Sequence, residues 1–193
     1  MRDVVRPIRF DWRDTLSHAA DLALLGIVTA VAMLPVVTAG AAVATASAAL
    51  HDWLPAQRWP DARTTLERFG RAVLPGVGAT AVALAAGVLV WLDLSSLARG
   101  AAPGGVPAML LTGAVVAIAL GVGLLAVIEV GRAGGRGWRA AVARAGRKAF
   151  ERPWLPLALA GIVALAGVLC ALMPIATPIA LGYALFALHV AAR

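Results

Sequence analysis

The chain has 193 residues, is 61% hydrophobic and 14% charged, and has a mean hydropathy of +0.86. A soluble domain is about 45–50% apolar and about 25% charged, so a water-soluble globular protein is excluded and a single integral membrane domain over residues 1–193 is expected. The net charge of +7 and a pI near 11.4 would suit nucleic acid, but the bases sort by membrane side, which argues for no nucleic-acid partner.

Residues 1–17 mix Arg2, Arg6, Arg9 and Arg13 with Ile8, Phe10 and Trp12, the pattern of a cytoplasmic interfacial segment. No small-x-small cleavage site follows the first apolar run, so that run is expected to be an anchor. It covers residues 18–34 and must end at Pro35, which lacks an amide proton and clashes with the preceding turn. In the turn LPVVTAG, Thr38 is expected to cap a second helix, and Gly40 to let that helix pack against the first. The second helix, residues 38–53, is Ala-rich with Thr45 and Ser47. It is short for a span and suited to a place within protein.

Residues 55–72 form a basic cytoplasmic insertion, with a helix opening at Pro60-Asp61 and an interfacial stripe of Leu66, Phe69 and Val73. A third apolar helix is expected over 73–92 and a fourth over 106–130, joined by a loop with little charge. Residues 131–153 form the second basic insertion. Its amphipathic helix carries Arg139, Arg144, Arg147 and Lys148 on one face and Trp138, Val142, Ala145 and Phe150 on the other. A fifth helix over 154–172, a turn at Pro174 and Thr177, and a sixth helix over 179–192 complete the chain. The turns Leu34-Pro-Val-Val-Thr38 and Met173-Pro-Ile-Ala-Thr177 read alike; a degenerate repeat and chance similarity both stand.

The fold class expected is therefore an all-α polytopic membrane bundle of about six membrane-inserted helices in three hairpins. With the N- and C-termini inside, every one of the 17 bases except Arg99 faces the cytoplasm. Five of the six Trp (12, 53, 59, 138 and 154) then fall at the inner interface.

Signals for chemistry are few. Cys170 stands alone, and there is no phosphate-binding loop, dinucleotide fingerprint or paired metal motif, so no enzyme activity, catalytic residue, metal or cofactor is expected. Gly134, Gly135 and Gly137 suit a flexible linker. Ionisable residues at helix ends are the candidate functional groups: His18, Asp21, Glu129, Arg132 and His189, all at the inner face in this topology. Two readings stand for them, a polar cluster with Glu129 and Arg132 paired at i,i+3, or simple markers of the membrane boundary. Arg139, Arg144, Arg147 and Lys148 are expected to meet anionic lipid headgroups or a partner.

Asp21-Leu22, a helix, LPVVTAG and an Ala-rich helix through Ala48-Ala49-Leu50 resemble the YesL-like (DUF624) family of small bacterial integral membrane proteins. The likeness covers residues 16–75; the rest agrees in its pattern of helices. The family pattern has Asn where this chain has Gly26, and an aromatic near Ala30. Members are often encoded beside carbohydrate ABC transporters. The resemblance implies a multi-pass protein of the bacterial cytoplasmic membrane, a non-catalytic accessory or regulatory partner of an ABC permease or ATPase. The alternative is a small stand-alone transporter or channel acting as a homo-oligomer, supported by the repeated hairpin and the many Gly and Ala at helix contacts.

Overall fold

The computed structural model describes residues 12–56, 58–99 and 105–193. The N-terminal segment up to Asp11 and the loop around Pro103 and Gly104 lie outside them. The described residues form seven α-helices: α1 (Trp12–Met33), α2 (Ala39–Ala56), α3 (Ala62–Ala98), α4 (Gly105–Arg132), α5 (Trp138–Glu151), α6 (Trp154–Leu172) and α7 (Thr177–Ala191). Five stretches are long and apolar enough to cross a membrane: Leu16–Met33, Ala62–Leu97, Val106–Arg132, Trp154–Leu172 and Pro174–Ala191. This is a membrane protein with an all-helical fold.

Of the two helices missing from that set, α2 and α5, the first is the centre of the bundle. Its residues from Ala41 to Leu50 are buried on every side except at Val43, and Trp53 is buried as well. A helix buried all round must be enclosed by protein, and side chains no larger than Ala, Ser and Thr let neighbouring backbones come close. Around it stand α1, α3, α4 and α7.

Pro35 ends α1 as expected, and a 3₁₀ turn, Val36–Thr38, leads into α2. Thr38, however, does not cap α2. Its hydroxyl lies 2.7 Å from the carbonyl oxygens of Ala32 and Pro35, so it closes the end of α1 instead. The free amide at the start of α2, that of Gly40, donates to Thr80 Oγ1 on α3 at 2.8 Å. Gly40 also packs against α3 rather than α1, because a side chain there would strike the carbonyl of Gly76. The second turn follows the same plan, with a 3₁₀ turn Pro174–Ala176 and α7 starting at Thr177.

Successive helices α1 and α2, α3 and α4, and α6 and α7 touch as hairpins would, but they do not make the largest interfaces. The most extensive interfaces join α1 to α7 and α2 to α3. At the first, Gly26 and Gly182 face each other so closely that a methyl group on either would meet backbone. Tyr183 adds a hydrogen bond from its hydroxyl to the carbonyl of Ala19 at 3.0 Å. These contacts run antiparallel, so the start of α1 and the end of α7 share one end of the bundle.

The first insertion and the third apolar helix are one element, not two. α3 runs 37 residues with Pro75 inside it, about 55 Å against an apolar bilayer core of about 30 Å. Both Pro75 and Arg71, whose carbonyl loses its amide partner, are exposed near the polar start of the helix. The proline costs α3 one backbone hydrogen bond, and the helix nonetheless runs through it. Glu67 binds Arg63 and Arg71 on the exposed face, and Arg68 binds Asp52 of α2 at 2.6 Å.

Trp53, expected at the interface, is instead core. It stacks on Trp59 at 5.3 Å and takes His18 and Phe186 edge-on, at 5.4 and 6.2 Å. Together with Leu22, Leu50 and Leu185 this cluster closes the bundle at the end where α1 begins and α2 and α7 finish. The ends of α4 and α5 and the start of α6 lie there too, so both basic insertions share this polar end.

Candidate functional site

The last turns of α4 descend into the polar end almost completely buried, from Leu125 to Gly131. Glu129 sits in that stretch with its side chain only 7% exposed. A lone carboxylate there would be costly unless paired. The chain solves this by folding α5 back onto α4. Gly134, Gly135 and Gly137 all have positive φ (66°, 85° and 74°), a conformation that favours glycine. The amide of Gly135 donates to the Val130 carbonyl at 2.9 Å, closing α4 before the reversal. These glycines thus build a defined turn.

The docked face of α5 is a ridge of alanines. Ala141 and Ala145 are fully buried, the first against Ala44 and Val130 and the second against Leu125 and Leu188. Of the larger apolar residues expected on the buried face, Trp138 packs beside Ala141, but Val142 is exposed and Phe150 is 92% exposed. Only small side chains let the two backbones approach closely enough for Arg144 and Lys148, one turn apart, to reach across.

Three cations converge on the one carboxylate. Arg132 Nη1 is 2.6 Å from Glu129 Oε1, Lys148 Nζ is 2.9 Å from the same oxygen, and Arg144 Nε is 3.1 Å from Oε2. Arg132 also donates from Nη2 to the carbonyl of Ala192 at 3.2 Å, which ties the end of α7 to the group. The i,i+3 pair expected between Glu129 and Arg132 is present. Arg144 and Lys148, expected to face lipid or a partner, are turned into this clamp, while Arg139 and Arg147 stay exposed.

A second polar contact lies deeper. Ser47 of α2, His189 of α7 and the Val127 carbonyl of α4 meet where Gly131 leaves room for Ser47. His189 Nδ1 is 2.9 Å from the Leu185 carbonyl, which places a proton on Nδ1 and makes Nε2 an acceptor. The single proton of Ser47 then goes either to Nε2 at 3.1 Å or to Val127 at 2.9 Å. The pair has the spacing of a nucleophile and its base. Yet Ser47 is wholly buried, His189 is 3% exposed, and Nδ1 meets a carbonyl rather than a carboxylate. The hydroxyl is enclosed by α2, α4 and α7, and the contact pins these three helices together.

The five candidate residues thus divide. Glu129 and Arg132 belong to the clamp, and His189 meets Ser47 of α2. His18 belongs to the Trp53 cluster, and Asp21 is half-buried with no ion pair among the described residues. Sequence reasoning missed Ser47, Thr80 and the inward turn of Arg144 and Lys148. One signal for the last was present: Glu129 is the only acidic residue between Asp93 and Glu151, within reach of the densest basic run. No group of three metal-ligating side chains occurs among the described residues. Compared with models of known families, with curated proteins and with solved structures, the chain matches none.

Proposed function

We propose that the protein is a non-catalytic accessory subunit of a membrane transport complex, with the polar end in the cytoplasm and both termini on that side. The observation that carries the reading is the clamp at Glu129. It holds α5 rigidly against α4 and leaves Arg139, Arg147 and Phe150 facing outward. A basic, partly apolar surface fixed to a membrane bundle suits binding to another protein better than catalysis. That the partner is a carbohydrate ABC transporter of the bacterial cytoplasmic membrane rests on the YesL-like resemblance of residues 16–75.

Photo-crosslinking residues in place of Arg139 and Arg147, in native membranes, test this. A permease or ATPase subunit captured at both positions supports the accessory role, and capture of lipid alone refutes it. A second reading, a homo-oligomer that transports alone, is favoured by Ala79, Ala83 and Gly87. They form a small-residue stripe on the outer face of α3, where Gly87 meets nothing. Solute flux in liposomes containing only this protein would support that reading over the first.

A further inference from the structure

Where α6 begins and α7 ends, an open cleft of about 330 Å³ is lined by Arg132, Lys148, Arg152 and Arg193, with Glu151 beside them and Leu155 and Ala192 as its apolar part. Charge in this cleft is unbalanced. Glu129 supplies one negative charge to Arg132, Arg144 and Lys148, and these three make no other ion pair among the described residues. Arg132 spends two of its five N–H donors on Glu129 and Ala192, and Lys148 one of its three on Glu129. Arg152 and Arg193 are exposed and make no ion pair among the described residues. The cleft is therefore a cluster of unspent donors, built on a scaffold that the clamp keeps in place.

The same two helices carry an open apolar groove of about 500 Å³, lined by Ile162, Leu165 and Leu169 of α6 and Ile179, Tyr183 and Ala187 of α7. Ile162 is two helical turns along α6 from Leu155, about 10 Å away. Trp154, exposed at the start of α6, is the residue type that settles at headgroup depth.

We propose that the cleft binds a phosphate ester and that a phospholipid supplies it. Arg152, Arg193 and the remaining donors of Arg132 and Lys148 take the phosphate oxygens. Glu151 accepts a hydrogen bond from a headgroup hydroxyl, and an acyl chain lies in the groove between α6 and α7. An acidic protein segment would answer the cations but leave the groove without an occupant. The site is separate from the outward face of α5 and does not depend on what that face binds.

The experiment uses purified full-length protein in detergent, given phosphatidylglycerol or phosphatidylcholine, with bound lipid counted by native mass spectrometry. Phosphatidylglycerol should be retained in preference to phosphatidylcholine. Arg152→Ala with Arg193→Ala leaves the Glu129 clamp intact and should weaken that binding roughly thirty-fold. Arg139→Ala with Arg147→Ala removes the same charge elsewhere and should change it by less than about threefold. Equal loss in both double variants, or loss in neither, would overturn the site. Glycerol phosphate that stabilises the protein as much as phosphatidylglycerol would reassign the cleft to a soluble phosphate ester. A photo-reactive residue at Arg193 that captures protein and no lipid would replace the lipid by an acidic partner.

Discussion

Replacing Glu129 by Gln removes the one negative charge on which Arg132, Arg144 and Lys148 converge, and keeps the volume of the side chain. Breaking a buried ion pair from one side costs about 3–5 kcal/mol, because the partner is left uncompensated. Here the carboxylate is 7% exposed but the three cations are 31–37% exposed and keep part of their hydration. The lower end of that range applies, about 3 kcal/mol. Any single cation is a smaller loss, since two others still hold the carboxylate; Lys148→Ala should cost about 1 kcal/mol. The effect should also be local, because the clamp and the alanine ridge form much of the contact between α5 and α4. Hydrogen exchange in nanodiscs should show the amides of α5 losing protection while α2 and α4 keep theirs, and thermal unfolding should give the ranking of the two variants. If Glu129→Gln costs no more than Lys148→Ala, or if protection falls evenly across all helices, the clamp is not what fixes α5.

Gly40→Leu should lower folded yield and stability by roughly 1–3 kcal/mol through collision with Gly76, whereas Gly78→Leu, with nothing within 4 Å, should leave thermal stability unchanged in detergent. Pro75→Ala should raise stability by roughly 1–3 kcal/mol, since α3 already passes through that position and regains an amide donor; a loss of stability would mean the proline is needed. Ser47→Ala should cost about 1–2 kcal/mol by leaving His189 Nε2 without its partner, and Ser47→Thr should fail to restore it because Gly131 has no room for a methyl group. Cysteines at Ala56 and Gly137 should resist an impermeant thiol reagent in intact cells while one at Gly100 reacts; the opposite pattern would invert the proposed topology.

The long uncharged runs made the spanning helices plain in the sequence, and the run of Ala, Thr and Ser in α2 marked it as a helix for protein rather than lipid surroundings. What the sequence hid depends on contacts far apart along the chain. Gly26 and Gly182 are each an ordinary membrane glycine until they are seen face to face. Thr38 looked like the cap of α2 because it is adjacent, yet the cap is Thr80, brought in by the Gly40–Gly76 crossing. The basic insertion 55–72 and the apolar helix 73–92 read as two elements because charge stops where the apolar run begins, yet one helix, α3, carries both. On α5 the apolar face expected, Trp138, Val142, Ala145 and Phe150, docks at Trp138 and Ala145, while Val142 and Phe150 are exposed and Ala141 is buried instead, a small residue that lets Arg144 and Lys148 come near Glu129.

The clamp explains both why α5 is docked and why its outer surface is so basic. A carboxylate near the end of α4 is expensive alone, and Arg132 of α4 with Arg144 and Lys148 of α5 remove that expense with charge to spare. A single balancing cation would have sufficed to neutralise Glu129. The remaining arginines, 136, 139, 147 and 152, are exposed, Arg152 in the cleft beside Arg132 and Lys148. An anionic surface or ligand at the polar end therefore lowers the repulsion among these groups while it binds, and added salt should weaken that binding and steady the free protein at the same time. Binding and local stability at this end of the bundle are thus set by the same excess of positive charge around Glu129.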